Sequence, residues 1–245
     1  MNIETITAGS PLPMQNTADP PKLLILARSP IGKKLITGIT GLGLTFFVLL
    51  HMVGNLLMFG GSDLYNSYGR FIEQLGPLLW LIEVGLLGIV VVHGGYGIHL
   101  FVRRLRSRPI PYAQYASKGE PSLQSLSSRT MIVTGSILAV FLVTHLLTFK
   151  FGPYYLTQVE GREVRDLARL VVETFHKPTY TFGYTAVVVL LGFHLRHGLW
   201  SALQSLGALS RDLKPVVYLL SLIFAIAIAI GFFILPLAVY FGAIG

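Results

Sequence analysis

The chain has 245 residues, of which 53% are hydrophobic and only 12% charged, with 19 Lys and Arg against 11 Asp and Glu. A soluble globular domain carries about twice that charged fraction, so the composition excludes an ordinary water-soluble fold. Cysteine is absent, which excludes disulfides, thiolate metal sites, iron–sulfur clusters and covalently attached c-type haem within this chain.

Residues 1–28 form the first segment, and within it residues 1–21 are a polar stretch rich in Pro and Thr. It lacks the apolar run of a secretory signal and reads as a mobile tail. SPIGKK at 29–34 then has the form of a helix start, with Ser29 as N-cap and Pro30 in the first turn. Five apolar windows follow, at about 33–58, 78–102, 130–149, 179–201 and 215–241, each near the roughly 20 residues that a bilayer core demands. Inside lipid the backbone must pair within its own segment, and the runs do not alternate at period two. The expected fold is therefore all-α: a polytopic membrane protein whose residues 29–245 form one bundle of five transmembrane helices. Walker and Rossmann glycine motifs are missing, and HGGYG at 93–97 lies inside an apolar helix.

The connections carry the charge. Lys22, Arg28, Lys33 and Lys34 precede the first span; Arg103, Arg104, Arg106, Arg108, Lys118 and Arg129 lie between the second and third; Arg211 and Lys214 follow the fourth. The opposite side holds Arg70, Lys150, Arg162, Arg165, Arg169 and Lys177, interleaved with Glu160, Glu163, Asp166 and Glu173. The first set is larger and less neutralised, so the N-terminus, its tail included, is expected in the cytoplasm and the C-terminus outside. This bias accounts for the net charge of +8 without nucleic acid. The 103–128 connection contains Pro109, Pro111 and Pro121 and shows no strong pattern; it serves either as a contact for a cytoplasmic partner or as a plain loop. REVRDLARLVVETFH at 162–176 places apolar residues at 164, 167, 168, 171, 172 and 175, the spacing of a helix with one oily face. Two placements are open: on the membrane surface, or packed on top of the bundle.

Seven histidines occur, at 51, 93, 99, 145, 176, 194 and 197, and an ionisable group within a span points to function. At 1.5 Å per residue, His51 and His145 fall roughly 6–9 Å from the outer end of their helices, and His93 and His194 about 22 Å. Two histidines at matching depth on two helices, occurring twice, suit two stacked cofactors, and bis-imidazole haem b is the natural candidate. Zinc lacks the Cys or clustered carboxylates to complete its shell. Gly97 and Gly198 lie four residues after His93 and His194, on the same face, and leave room for a flat macrocycle; Gly54 does so three residues after His51. Close helix packing is the other use of such glycines. His99 and His197 form a competing inner pair without that glycine, and Arg196 with His197 would either meet haem propionates or snorkel to the interface.

SPIGKKLITGITGLGLTFFVLLHMVGNL (29–56), HGGYGIHL (93–100), VTHLLTFKFG (143–152), DLARLVVETFHKP (166–178) and FHLRHGLWSALQSLG (193–207) occur in an order that resembles the cytochrome b558 family, over about residues 28–242. These are the five-helix, dihaem membrane anchors of succinate:quinone oxidoreductase and quinol:fumarate reductase, complex II of type B. The resemblance implies iron ligation of an outer haem by His51 and His145 and of an inner haem by His93 and His194. It also implies a flavoprotein partner with covalent FAD, an iron–sulfur partner, and a quinone, menaquinone or ubiquinone, as substrate. The expected setting is the cytoplasmic (inner) membrane, in the respiratory chain and tricarboxylic acid cycle. Some members carry a glutamate two residues before the fourth-helix ligand as a proton path; this chain has Gly192 there.

Quinone chemistry also moves protons. The connection 60–83 offers Asp63 and, for a quinone carbonyl, Tyr65, Asn66 and Arg70, with Glu73 or Glu83 as proton relay. Ser29, Lys33 and Lys34 mark a second possible site at the other end. Two other functional classes are open: the cytochrome b anchor of a hydrogenase or formate dehydrogenase, which shares the histidine physics, and a transporter or plain structural anchor, although the repeats and broken helices usual in a transporter are not seen in the sequence.

Overall fold

The computed structural model describes residues 21, 25, 27–107 and 126–245. The readings made on Lys22, Arg108, Pro109, Pro111, Lys118, Pro121 and nearly all of the N-terminal tail lie outside the described residues.

The chain is an all-α polytopic membrane protein. Five of its helices are long and apolar enough to cross a bilayer. The spans are α1 (Pro30–Leu56), α3 (Pro77–Arg106), α5 (Met131–His145, extended to Lys150 by a π-turn), α7 (Pro178–Ser205) and α8 (Leu213–Tyr240). Between them lie α2 (Ser62–Glu73), a short helical turn α4 (Leu126–Arg129), an antiparallel hairpin of β1 (Leu156–Val159) and β2 (Arg162–Arg165), and α6 (Leu167–Phe175). The five expected windows coincide with the five helices to within a few residues. Ser29 caps α1 as read from the sequence, its hydroxyl accepting from the Gly32 amide at 2.9 Å.

Without water in the hydrocarbon, helices associate through close van der Waals packing and small residues rather than hydrophobic expulsion. Gly38 of α1 meets Ala202 of α7 with room for no more than a methyl, and Gly192 of α7 lies against Ala229 and the Ala225 carbonyl of α8. Thr45, Thr134, Thr185 and Ser221 are buried in the bundle, and each hydroxyl donates to a carbonyl one turn back in its own helix. The helix α3 differs from the other spans: none of its residues is buried, and it leans chiefly on α1.

One end of the bundle carries a cap built from α2, the hairpin and α6. Met58, Tyr65, Ala168, Val171 and Phe175 pack there with Leu235 and Val239 of α8. The expectation for 162–176 is corrected in its first part: residues 162–165 are strand, and the helix covers only Leu167–Phe175. Glu160 and Gly161 both take positive φ, 50° and 71°, the two-residue turn that matches the twist of a hairpin. The buried valines Val159 and Val164 then anchor the ladder. Asp166 caps α6 by accepting from the Arg169 amide at 3.0 Å. Of the two placements open to this helix, the packed one is observed, since Ala168, Leu170, Val171 and Phe175 are buried.

Asn66 fastens the cap. Its side chain is 2% exposed, its amide donates to Asp166 Oδ1 at 2.9 Å, and its oxygen accepts from the Ala168 amide at 2.9 Å. Replacing it by leucine strands a buried N–H and removes one partner of the capping carboxylate, a cost of about 3 kcal/mol. Hydrogen exchange of the α6 amides in Asn66→Leu is expected to quicken accordingly, with the spans unaffected.

Candidate functional site: two facing histidine pairs

The structure brings together the histidines that the depth argument paired. His51 of α1 faces His145 of α5 with ring centres 5.7 Å apart, on the cap side. His93 of α3 faces His194 of α7 at 6.3 Å, towards the opposite end, the base. Two metal–imidazole bonds of about 2 Å each set the ring centres about 6 Å apart, so each pair has the spacing needed to share one metal atom.

Tautomers decide whether a nitrogen is free to ligate. His93 Nδ1 lies 3.1 Å from the Thr37 carbonyl oxygen, which can only accept, so Nδ1 carries the proton and Nε2 keeps its lone pair. The Thr40 hydroxyl also lies 3.3 Å from this nitrogen and donates its own proton to the Ile36 carbonyl at 2.7 Å. His194 Nδ1 lies 3.1 Å from Thr134 Oγ1, whose proton goes to the Thr130 carbonyl at 3.0 Å. With the Thr134 proton on that carbonyl, Nδ1 donates to Oγ1 and Nε2 is bare; with the hydroxyl turned to His194, the roles exchange. Such outer contacts orient metal-ligating histidines and raise their basicity.

A glycine completes each seat. A β-carbon on Gly41 would approach His93 Cε1 to 3.0 Å, and one on Gly135 would approach His194 Cε1 to 3.3 Å. Thr40–Gly41 of α1 and Thr134–Gly135 of α5 are thus the same device used twice. Sequence reasoning missed these four residues; the signal available was a Thr-Gly step repeated in the first and third spans, ITGLG and VTGSI. The glycines singled out instead, Gly97 and Gly198, border open space: a β-carbon added at either would have no protein atom within 4 Å. The space beside Gly54 is filled by the Tyr68 ring. At Gly192 an added β-carbon would stand 3.2 Å from the Ala229 methyl of α8, a tight fit.

The cap-side pair is held differently. His51 stacks on Phe47 at 5.5 Å and meets Phe232 at 5.8 Å. His145 is enclosed by Phe141, Phe149 and Tyr184, at 5.7, 5.3 and 6.1 Å, and its buried Nδ1 has no hydrogen-bond partner. Asn55 donates to the His51 carbonyl at 2.8 Å and lies 3.4 Å from His51 Nε2. Phe175 of the cap closes over Phe149 and Tyr184. The π-turn at Leu146–Lys150 begins at the residue after His145, and π-turns are frequent at functional sites.

The residues expected to handle quinone are not gathered in one place. Tyr65 is buried and donates to Asn55 Oδ1 at 3.2 Å. Burial, with Tyr68 beside it, pushes its phenol up to about 12, so it stays protonated across physiological pH. Asn66 uses both its amide groups within the cap, as described. Arg70 is half-buried near Gln74, and Asp63 and Glu73 are exposed. Glu83 forms an ion pair with Lys150, joining the cap end of α3 to the π-turn. At the base end, Lys33 donates to His99 Nε2 at 2.8 Å, which turns His99 away from the His93 pair, and Lys34 is exposed. Arg196 donates to the Tyr218 hydroxyl at 2.9 Å, while His197 packs beside Trp200 at 6.2 Å and His176 is exposed.

Compared with models of protein families, with curated proteins and with solved structures, the chain has no match in any of the three.

Proposed function

We propose that this protein is the membrane-anchor cytochrome b subunit of a succinate:quinone oxidoreductase, with b-type haem iron ligated by His51 and His145 on the cap side and by His93 and His194 on the base side. The observation that carries this reading is the pair of facing imidazoles at two levels, with the Nε2 lone pair of His93 left bare by the Thr37 carbonyl on its Nδ1. Among the described residues no group of three or more His, Asp and Glu stands together, so each centre offers two axial donors and suits a ligand that brings its own equatorial ones. The unburied α3 leaves space beside His93, Gly97 and the open face of Gly198 for a flat macrocycle.

Bound there, two b haems would supply one-electron carriers in series between an iron–sulfur subunit and membrane quinone. The chain's own residues would do the rest. The Thr37 carbonyl holds the proton on His93 Nδ1, the Thr40 and Thr134 hydroxyls brace the two base-side rings, and the aromatic wall around His145 excludes water. The base end, with Lys33, Lys34, Arg103, Arg104 and Arg106, faces the cytoplasm on the positive-inside rule and receives the iron–sulfur and flavin-carrying subunits. Quinone reacts near the cap, where Glu83, on the span α3 and tied to the Lys150 that also lies over Trp80, is a better proton relay than the exposed Glu73.

Purification from native membranes in mild detergent tests the reading. The expected result is a reduced-minus-oxidised b-type spectrum, two haems per chain, and a co-purifying flavoprotein and iron–sulfur protein. A colourless preparation would sink the cytochrome; haem with a nickel- or molybdenum-containing partner would redirect it to a hydrogenase or formate dehydrogenase anchor. Within the complex, Glu83→Gln is expected to lower quinone-linked succinate oxidation about 10-fold or more, a general acid–base loss, with turnover to an artificial acceptor intact. An unchanged quinone-linked rate moves the quinone site to the Ser29–Lys33–Lys34 end.

A further inference from the structure

Two chains of contact run from the cap to the cap-side histidines, one on each side. On the α1 side, the Tyr65 hydroxyl donates to Asn55 Oδ1 at 3.2 Å, and the Asn55 amide donates to the His51 carbonyl at 2.8 Å. A carbonyl only accepts, so the orientation of the Asn55 amide is fixed: oxygen to Tyr65, NH₂ to His51. The same amide nitrogen lies 3.4 Å from His51 Nε2, so the Asn55 side chain braces the His51 ring.

On the α5 side, Arg165 of β2 reaches into the π-turn. Its Nη2 donates to the Phe149 carbonyl at 2.8 Å while the guanidinium lies 5.0 Å from the centre of the Tyr154 ring. Phe149 is in ring contact with His145. The π-turn closes through the Phe151 amide to the Leu146 carbonyl at 2.9 Å, and a β-carbon at Gly152 would collide with the Thr148 carbonyl. The turn that ends the helix bearing His145 is therefore gripped from the hairpin.

We infer that Tyr65 and Arg165 are positioning residues for the cap-side pair: Tyr65 sets the His51 ring through Asn55, and Arg165 sets His145 through the π-turn. The base-side pair is seated from within the membrane by Thr-Gly steps, so its geometry is independent of the cap. That the cap-side pair ligates haem iron rests on the function proposed above; the positioning itself does not.

The test compares the full-length protein with its Tyr65→Phe, Asn55→Leu and Arg165→Leu variants. Tyr65→Phe keeps the ring in the cap cluster and removes only the hydroxyl. In the haem-loaded complex, each variant is expected to weaken retention of the cap-side haem about 10-fold or more and to move its midpoint potential, leaving the base-side haem unchanged. In the haem-free chain, imidazole ¹⁵N resonances give a readout independent of haem. Tyr65→Phe and Asn55→Leu are expected to shift the His51 ring resonances, and Arg165→Leu to move His145 alone. Unmoved His51 and His145 resonances, or equal shifts at both haems, would overturn the inference. A chain that takes up no haem at all removes the cytochrome assignment while the ¹⁵N spectra still decide the positioning.

Discussion

Replacing either member of a histidine pair with alanine is expected to remove one haem and spare the other. His51→Ala or His145→Ala should lose the cap-side haem; His93→Ala or His194→Ala should lose the base-side one, each cutting the haem measured as pyridine haemochrome by about half. Loss of one of two axial ligands leaves iron with a single imidazole in an apolar site, too little to hold a bis-imidazole centre. His99→Ala and His176→Ala should keep both haems, since His99 is paired with Lys33 and His176 is exposed at the cap. Loss of a haem in His99→Ala with retention in His93→Ala would reassign the base-side ligand.

The second large effect is expected from one added methyl. In Gly41→Ala the new carbon stands 3.0 Å from His93 Cε1 and 3.4 Å from Nδ1, closer than carbon atoms settle without movement. The ring must give by a few tenths of an ångström, which strains its hydrogen bond to the Thr37 carbonyl, and haem affinity at the base-side pair should fall about 10-fold, the lower end of the usual cost of disturbing a metal ligand's outer contact. Gly135→Ala should do the same to His194 more mildly, at 3.3 Å. Gly43→Ala is the control: the nearest atom, Ile89 Cδ1, is 4.0 Å away, so haem content should not change. Gly97→Ala and Gly198→Ala meet no protein atom. Loss of the base-side haem in these two, with the fold intact, would mark their open side as occupied by the macrocycle.

The five spans are legible in the sequence because hydrophobic length is a property of a segment by itself, and the histidine pairs are legible because depth along a helix converts directly into depth in the bundle. What lies across helices is not. Thr40 and Gly41 read as ordinary span residues until α3 is laid against α1 and His93 falls on them. Gly97 and Gly198 share a face with their histidines, which suggests room at the ring; the close approach to each ring comes instead from a neighbouring helix. The hairpin at 156–165 is hidden because its turn is Glu160–Gly161 rather than the commoner Asn-Gly, and because Val164 also fits the helical spacing of the residues after it. Asn66 looks like a free hydrogen-bonding group only while its partners, Asp166 and Ala168, stand a hundred residues away in sequence.

The bare flanks of α3 bear on how such a chain is made. The helices α1, α7 and α8 join the start of the bundle to its end and pack against one another, so they can settle as a unit soon after the last span enters the bilayer. The second span enters early yet has no buried residue to lock it there. It rests on α1 through the Thr37 and Gly41 contacts to His93 and is tied to the π-turn by the Glu83–Lys150 ion pair. For such a span, insertion and packing are separate events: the bilayer takes it in early, while its few helix contacts form only with α1 and α5 in place.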